Sequence, residues 1–335
     1  MKFRMLDNKT ILVTGGTGSF GQVIVDKILK EYNPKKIIVF SRDEMKQWKM
    51  SETYQKEKRL RFFIGDVKDR ERLYRAFNNV DYVVHAAALK IVPTAEYNPF
   101  ECIKTNVVGA MNVIDAAIDN DVKKVIALST DKASSPINLY GASKLASDKM
   151  FVAANNYSAN RTLLSVVRYG NVMGSRGSVI PFFLSKRDQG TLPITDFKMT
   201  RFMITIDQGV KFVLMSLEKM LGGEIFVKKI PSIKITDIAR AVCKEAKLVE
   251  IGLRPGEKIH EQMIGKEDSL NTYEYNDYFK IIPDILIRHD KKKVIGNGQK
   301  VKENFIYSSE INKEKLSVSA LEKWIQSNKN KFLEL

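Results

Sequence analysis

Near its start the chain runs through a short apolar segment, Ile11-Leu12-Val13-Thr14, straight into Gly15-Gly16-Thr17-Gly18-Ser19-Phe20-Gly21, and from there into an amphipathic stretch. A strand that breaks into glycines at 15, 18 and 21 and then continues as a helix leaves few folds open. The first glycine allows a tight turn, the second lets an anion approach the backbone, and the third lets helix and strand pack closely. The helix start then offers unpaired N–H groups to a phosphate. Thr14, Gly15, Thr17, Gly18, Ser19, Phe20 and Gly21 are therefore expected to cradle the pyrophosphate of a dinucleotide. An ordinary glycine-rich turn is the bland alternative, which the strand–turn–helix context disfavours.

The rest of the N-terminal half keeps the same rhythm. Val- and Ile-rich runs at Ile11 to Thr14, Lys36 to Phe40, Leu60 to Gly65, Tyr82 to Ala88, Val125 to Thr130 and Leu163 to Arg168 read as fully buried strands. Helical patterns near Phe20 to Lys30, Arg70 to Phe77, Glu101 to Asp119 and Tyr140 to Asn155 lie between them. Alternation of this kind predicts an α/β fold, a Rossmann-type doubly wound parallel sheet. After about Asn171 shorter pieces punctuated by Gly and Pro take over. They predict a smaller C-terminal substrate-binding lobe, so residues 1–172 are expected to form the cofactor domain and 173–335 mainly the lobe. Segments near 207–227 carry a helix and a strand pattern and are expected to return to the main sheet.

Bulk properties exclude several classes. With 335 residues and 44% hydrophobic content the chain can bury a large core. Its two cysteines, Cys102 and Cys243, are too few for a disulfide framework or a thiolate metal site, so no metal is expected. Met1 to Thr10 lacks the apolar core of a secretory signal, and Lys90 interrupts the best apolar run. A cytoplasmic protein without a membrane span is the expectation. The formal charge of +16 raises the question of nucleic acid. The lysines are scattered rather than interleaved with aromatics, however, so an anionic small substrate is the preferred partner and nucleic acid is not expected.

Past the second strand, Ser41, Arg42 and Lys46 suit a ribose 2′-phosphate, whereas Asp43 would suit the free hydroxyls of NAD. The two basic residues favour NADP over NAD. Asp66 and Val67 follow the third strand, where adenine is expected. Ala86, Ala87 and Ala88 are small where the cofactor must pass, and His85 beside them is expected to be a packing residue. Further along, Tyr140 and Lys144 stand one helical turn apart on one face. A neighbouring ammonium stabilises a phenolate, which makes Tyr140 a candidate base and Lys144 its partner and a ribose ligand. Such spacing is common on ordinary helices; downstream of a glycine turn in a doubly wound chain it gains weight.

Together these motifs resemble the extended short-chain dehydrogenase/reductase family, with Asn106 and Thr130 matching its supporting positions. Within that family, Ser129-Thr130-Asp131-Lys132-Ala133 resembles the inverting UDP-N-acetylglucosamine 4,6-dehydratases, where hexose-type 4,6-dehydratases carry Asp-Glu. The strings Ala95 to Pro99, Thr130 to Lys144, Gly170 to Pro181 and Leu253 to Glu261 resemble them too. The resemblance implies a lyase in which Tyr140 takes the 4-hydroxyl proton as hydride passes from C4 to a retained NADP. A neutral Lys132, its pKa depressed by Lys144 and a low-dielectric pocket, then takes H5. Protonated Asp131 helps the 6-hydroxyl leave, hydride returns to C6, and C5 is reprotonated with inversion. The product, UDP-2-acetamido-2,6-dideoxy-beta-L-arabino-hex-4-ulose, would feed a surface glycan, such as a pseudaminic-acid flagellin glycan or a capsule.

The same resemblance implies a homo-oligomer, with surfaces near Glu101 and Tyr140, and UDP-N-acetylglucosamine as substrate. Lys90, Thr130 and Asn171 are expected near the sugar and phosphates. Arg201 and Arg254 are expected as bidentate phosphate or ribose donors and Glu257 as a ribose acceptor, while Ile91, next to Lys90, has no side-chain hydrogen bond to give. A nucleotide-sugar 4-epimerase remains open, since it needs Tyr140 and Lys144 but not Asp131 and Lys132. A cofactor-sensing or nucleic-acid-binding protein on an inactive fold is a further alternative, against which the intact Tyr140 and Lys144 argue.

Overall fold

Thr10–Thr14 (β1) is buried at every position, because parallel neighbours flank it on both sides. The computed structural model describes residues 4–159, 161–175, 177–284 and 291–328. Five further parallel strands follow: Lys36–Ser41 (β2), Leu60–Ile64 (β3), Tyr82–His85 (β4), Lys124–Leu128 (β5) and Leu163–Arg168 (β6). Their spatial order is β3-β2-β1-β4-β5-β6, so the sheet winds outward both ways from the gap between β1 and β4. In such sheets ligands lie beyond the carboxyl ends of the strands at that switch point.

Beyond β6 the sheet continues with later segments. Ile225–Lys228 pairs parallel with β6, and Tyr278–Ile281 pairs antiparallel with Ile225–Lys228. Thr272–Glu274 and Gln299–Lys300 complete ten strands among the described residues. The helix Ile206–Lys219 begins with a capping box between Thr205 and Gln208. Its Val210, Val213, Leu214 and Leu217 join the main core. A second core lies apart from the sheet, around Ile180, Phe183, Leu192, Ile194, Met203, Ile233 and Ile238. Leu321 and Ile325 of the C-terminal helix Val318–Ser327 close it.

The helices on the sheet faces are Ser19–Glu31 (α1), Glu44–Thr53 (α2), Arg70–Ala76 (α3), Val92–Tyr97 (α4), Pro99–Ile103 (α5), Gly109–Asp119 (α6) and Leu139–Ala153 (α7). Helix α1 turns Gly21, Ile24, Val25 and Ile28 to the core, the spacing of one helical face. Strand β5 stops at Leu128 short of Thr130 and helix α2 adds to the expected helices, and two further differences shape the site. The single helix expected from Glu101 to Asp119 is interrupted by a π-helical turn, Lys104–Val108, which sets Asn106 inward. Strand β4 stops at His85 rather than Ala88: the Ala86 amide makes a last ladder bond to the Thr14 carbonyl at 3.2 Å and shares it with the Thr14 hydroxyl at 3.1 Å, and the Ala87 amide donates to that hydroxyl at 3.2 Å instead of to a strand. No described helix is long and apolar enough to cross a membrane.

Candidate active site

Gly15 leaves β1 at φ +65°, and a Cβ there would fall 2.9 Å from the Ala87 amide nitrogen. A Cβ at Gly21 would lie 2.5 Å from the Gly15 carbonyl oxygen and the Gly16 backbone. Both positions therefore exclude a side chain. Gly18 stands before α1 without a side-chain cap, so the first amides of that helix face the cleft unscreened. Around the turn, the Thr17 and Ser41 hydroxyls are 2.7 Å apart. His85 is a buried packing residue: its Nδ1 lies 2.8 Å from the Thr14 hydroxyl, its ring meets Phe151, and burial holds its pKa down at about 3.

These residues open on a cleft of ≈1050 Å³ at the carboxyl ends of the strands. Gly15, Thr17, Gly18, Ser19, Phe20 and Gly21 form one wall, and Ser41, Arg42, Lys46, Asp66 and Val67 form its far end. Ala86, Ala87, Ala88, Lys90 and Ile91 form the floor beside Thr130, Lys132, Tyr140 and Lys144. Asn171, Arg201, Arg254 and Glu257 line the opposite side. Thr14, Asn106 and Asp131 lie behind the surface, and Arg176 lies outside the described residues.

Asn106 ties three elements together. Its Oδ1 accepts from the Leu89 amide at 2.8 Å, and its Nδ2 donates to the Leu89 carbonyl and the Ser143 hydroxyl, each at 2.9 Å. Ser143 in turn donates to the Tyr140 carbonyl at 2.8 Å, which fixes the first turn of α7. That turn is capped by Asn138, whose Oδ1 accepts from the Gly141 amide at 2.7 Å while its Nδ2 donates to the Gly256 carbonyl at 2.7 Å. The loop carrying Arg254 and Glu257 is thereby bound to the start of α7.

Behind Tyr140 lies a buried charged cluster. Lys132 Nζ sits 3.0 Å from Asp131 Oδ1 and 3.0 Å from Glu261 Oε1. Thr130 also donates to Asp131 Oδ1, at 3.0 Å. Burial alone would push the Lys132 ammonium toward neutrality, but the two carboxylates outweigh it and raise its pKa. This corrects the expectation of a neutral Lys132: the protein holds it charged, and the nearby cation that opposes the charge is Arg201 rather than Lys144. Asp131 is held above the usual carboxylate range by burial, against the pull of Lys132. Lys144 is lowered by burial. The Tyr140 phenol is pushed up to about 12 by burial, in spite of Lys132 and Thr130, so protein groups alone do not supply the depressed phenol expected from the sequence.

A family model for polysaccharide biosynthesis proteins matches residues 11–283. The chain belongs to that family. The chain is 56% identical over 316 residues to the UDP-N-acetylglucosamine 4,6-dehydratase (inverting) of Campylobacter jejuni subsp. jejuni, covering 92% of this chain and 94% of the relative. It is 45% identical to the UDP-glucose 4-epimerase of Rickettsia canadensis over 286 residues, 83% of this chain and 84% of that one. Among solved structures, Pen from Bacillus thuringiensis superposes with a TM-score of 0.88 at 36% identity over 97% of this chain and 99% of its own. The dTDP-glucose 4,6-dehydratase DesIV of Streptomyces venezuelae, at 24% identity and a TM-score of 0.67 over 75% of this chain and 86% of its own, shares the fold.

In this member of the family, several side chains picked out in the sequence are paired with each other. Arg42 lies 3.5 Å from Asp66 and 3.8 Å from Glu101, and Lys46 pairs with Asp43. Arg254 donates to Glu257 through Nε at 3.1 Å and through Nη2. Arg201 Nη1 donates to the Thr200 and Ile259 carbonyls and Nη2 to the Lys258 carbonyl, so its fork straps a loop instead of standing open for a phosphate. Asn171 Oδ1 is buried without a hydrogen-bond partner among the described residues. Reading the sequence missed Glu261 as a site residue. Its signal was present in the Leu253 to Glu261 string, but no spacing rule ties it to Lys132, far away in the chain.

Proposed function

We propose that the chain is a hydro-lyase, a UDP-N-acetylglucosamine 4,6-dehydratase that inverts C5 and retains NADP through each cycle. The observation that carries this reading is the buried Asp131–Lys132 pair set against Tyr140, a second acid–base pair that dehydration needs and 4-epimerisation does not. Identity of 56% to the Campylobacter jejuni relative supports the same substrate.

The glycine turn fits a dinucleotide: Gly15, at φ +65° against the Ala87 backbone, makes the tight turn, and the start of α1 after Gly18 has no side-chain cap between its amides and a pyrophosphate. Thr14 holds the Ala86 and Ala87 turn in place, and Gly15, Thr17, Gly18, Ser19, Phe20 and Gly21 would bind the pyrophosphate. Ser41, Arg42 and Lys46 would take the 2′-phosphate, Asp66 and Val67 the adenine, and Ala86, Ala87 and Ala88 the passing backbone. NADP is favoured because Arg42 and Lys46 bring two cations to this end of the cleft, while the Asp43 carboxylate caps α2 through the Lys46 amide at 2.9 Å. The bound nicotinamide supplies an acceptor for hydride from C4 and its return to C6, so net redox is zero.

The chain's own groups move the protons. Tyr140, with Lys144 a turn away and Asn106 fixing its helix, takes the 4-hydroxyl proton. A proton passing the 3.0 Å from Lys132 Nζ to Asp131 Oδ1 creates an amine able to take H5 and an acid able to release the 6-hydroxyl as water. Lys90, Thr130, Asn171, Arg254 and Glu257 would contact the sugar and diphosphate, with Arg201 steadying the loop beside them. Residues 1–172 serve the cofactor and 173–335 mainly the substrate. Exposed Phe100, Ile103 and Met111 support self-association into a homo-oligomer in the cytoplasm, whose product feeds a surface glycan of the pseudaminic-acid or capsule type.

The test is incubation of the purified protein with UDP-N-acetylglucosamine and no added cofactor, followed by NMR. A 4-keto-6-deoxy product is expected. Recovery of only substrate and its C4 epimer would replace this reading with the 4-epimerase one, which the Rickettsia canadensis relative favours.

A further inference from the structure

We infer that Glu261 is a positioning residue of the acid–base cluster: with Asp131 it holds one proton on Lys132 and sets the pH range over which that proton can move. The inference rests on the dehydratase reading above. Glu261 comes from just before the strand Gln262–Ile264, far along the chain from Asp131, and both carboxylates meet Lys132 Nζ at 3.0 Å. Each carboxylate also keeps one buried oxygen, Asp131 Oδ2 and Glu261 Oε2, with no hydrogen-bond partner among the described residues. Buried away from water, both carboxylates attract the ammonium between them more strongly than they would at the surface.

Glu261 is held firmly in place. Its amide donates to the Ser309 hydroxyl at 3.0 Å, and its carbonyl accepts from the Ser309 amide at 2.8 Å. The charged and titratable groups facing Lys132 are Asp131 and Tyr140 from its own side, and Arg201, Lys258 and Glu261 from the opposite side. Lys258 is directed to the Ser134 carbonyl at 2.8 Å, and Arg201 Nε lies 3.9 Å from Glu261. Two anions thus face three cations, of which Lys132 alone meets both carboxylates at 3.0 Å. Moving a proton from Lys132 to Asp131 keeps the number of protons and the total charge constant, but leaves Glu261 facing a neutral amine. Glu261 opposes that transfer, and it raises the pH at which the cluster as a whole gives its proton up.

The test compares the pH profile of solvent deuterium entry at C5 in the cofactor-loaded wild type, Glu261→Gln and Glu261→Asp. With Gln, both limbs are expected to move to lower pH, by about 1–3 units, because one anion near the shared proton is gone. With Asp the charge remains, so the midpoints stay and only the rate falls. A slower Glu261→Gln enzyme with unmoved midpoints would overturn the inference. Should Glu261→Gln fail to fold, 15N NMR of lysine-labelled wild type and Glu261→Ala decides: the pH at which Lys132 Nζ loses its proton is expected to fall in the variant, and an unmoved midpoint contradicts the inference. Absence of C5 exchange in the wild type would sink the dehydratase reading instead, and the 15N measurement would still decide the role of Glu261.

Discussion

Along Gly15 to Gly21 the wall of the cleft is set largely by backbone, with Gly15 and Gly21 admitting no side chain and the start of α1 left without a side-chain cap. Across the cleft, at Asp131, Lys132 and Glu261, it is side chain, and the contacts join parts of the chain far apart in sequence. The first wall suits a dinucleotide whatever the substrate beside it. The second decides what happens to the substrate, because its charges fix where protons rest. The contrast teaches that binding geometry here is local and chemistry is not.

The largest effects should come from the second wall. Tyr140→Phe removes the phenol oxygen and is expected to lower turnover by about 10²–10⁴-fold with dinucleotide affinity nearly unchanged, as read by single-turnover kinetics and cofactor titration. Lys132→Ala should remove C5 deuterium exchange by a comparable factor of about 10²–10⁴. Retained exchange in that variant would break the distinction between the two walls. Gly21→Ala probes the first wall, since its Cβ would press on the Gly15 and Gly16 backbone. It should cost about 1–3 kcal/mol of stability and weaken the cofactor, seen as a lower Tm that added NADP only partly restores.

The same local wall is legible in the sequence because each of its requirements is stated by neighbouring residues. The strand–glycine–helix order and the period of the buried strands carry the doubly wound sheet almost whole. Where β4 ends was not legible, since the Thr14 hydroxyl takes the Ala87 amide that a longer strand would give to the ladder. The π-helical turn at Lys104–Val108 also leaves no mark in the hydrophobic period. In the acid–base wall the residue types were visible but their charge states were not. Lys132 is held charged by Glu261, a partner supplied by the fold rather than by spacing, and Arg201 is turned to carbonyls that only the folded loop brings near.

Two further effects sharpen the contrast. His85 has its pKa held down at about 3 by burial, so the unfolded chain, near the ordinary value, binds a proton that the folded one refuses. Stability should therefore be full above about pH 6.5 and fall by about 1.4 kcal/mol per pH unit toward pH 3, as far as this group is concerned. Chemical denaturation of wild type and His85→Gln across that range isolates the contribution, which should vanish in the variant. Smallest of all, Arg42→Ala removes an exposed side chain and should reduce the preference for NADP over NAD by about tenfold, read from the two dissociation constants.

The account's central claim is that the second wall performs dehydration with inversion. It is tested most directly by turning over UDP-N-acetylglucosamine in heavy water and determining the mass and C5 configuration of the product. The account predicts a 4-keto-6-deoxy sugar nucleotide with solvent deuterium at an inverted C5. A product epimerised at C4, with the 6-hydroxyl kept and no deuterium at C5, would contradict it.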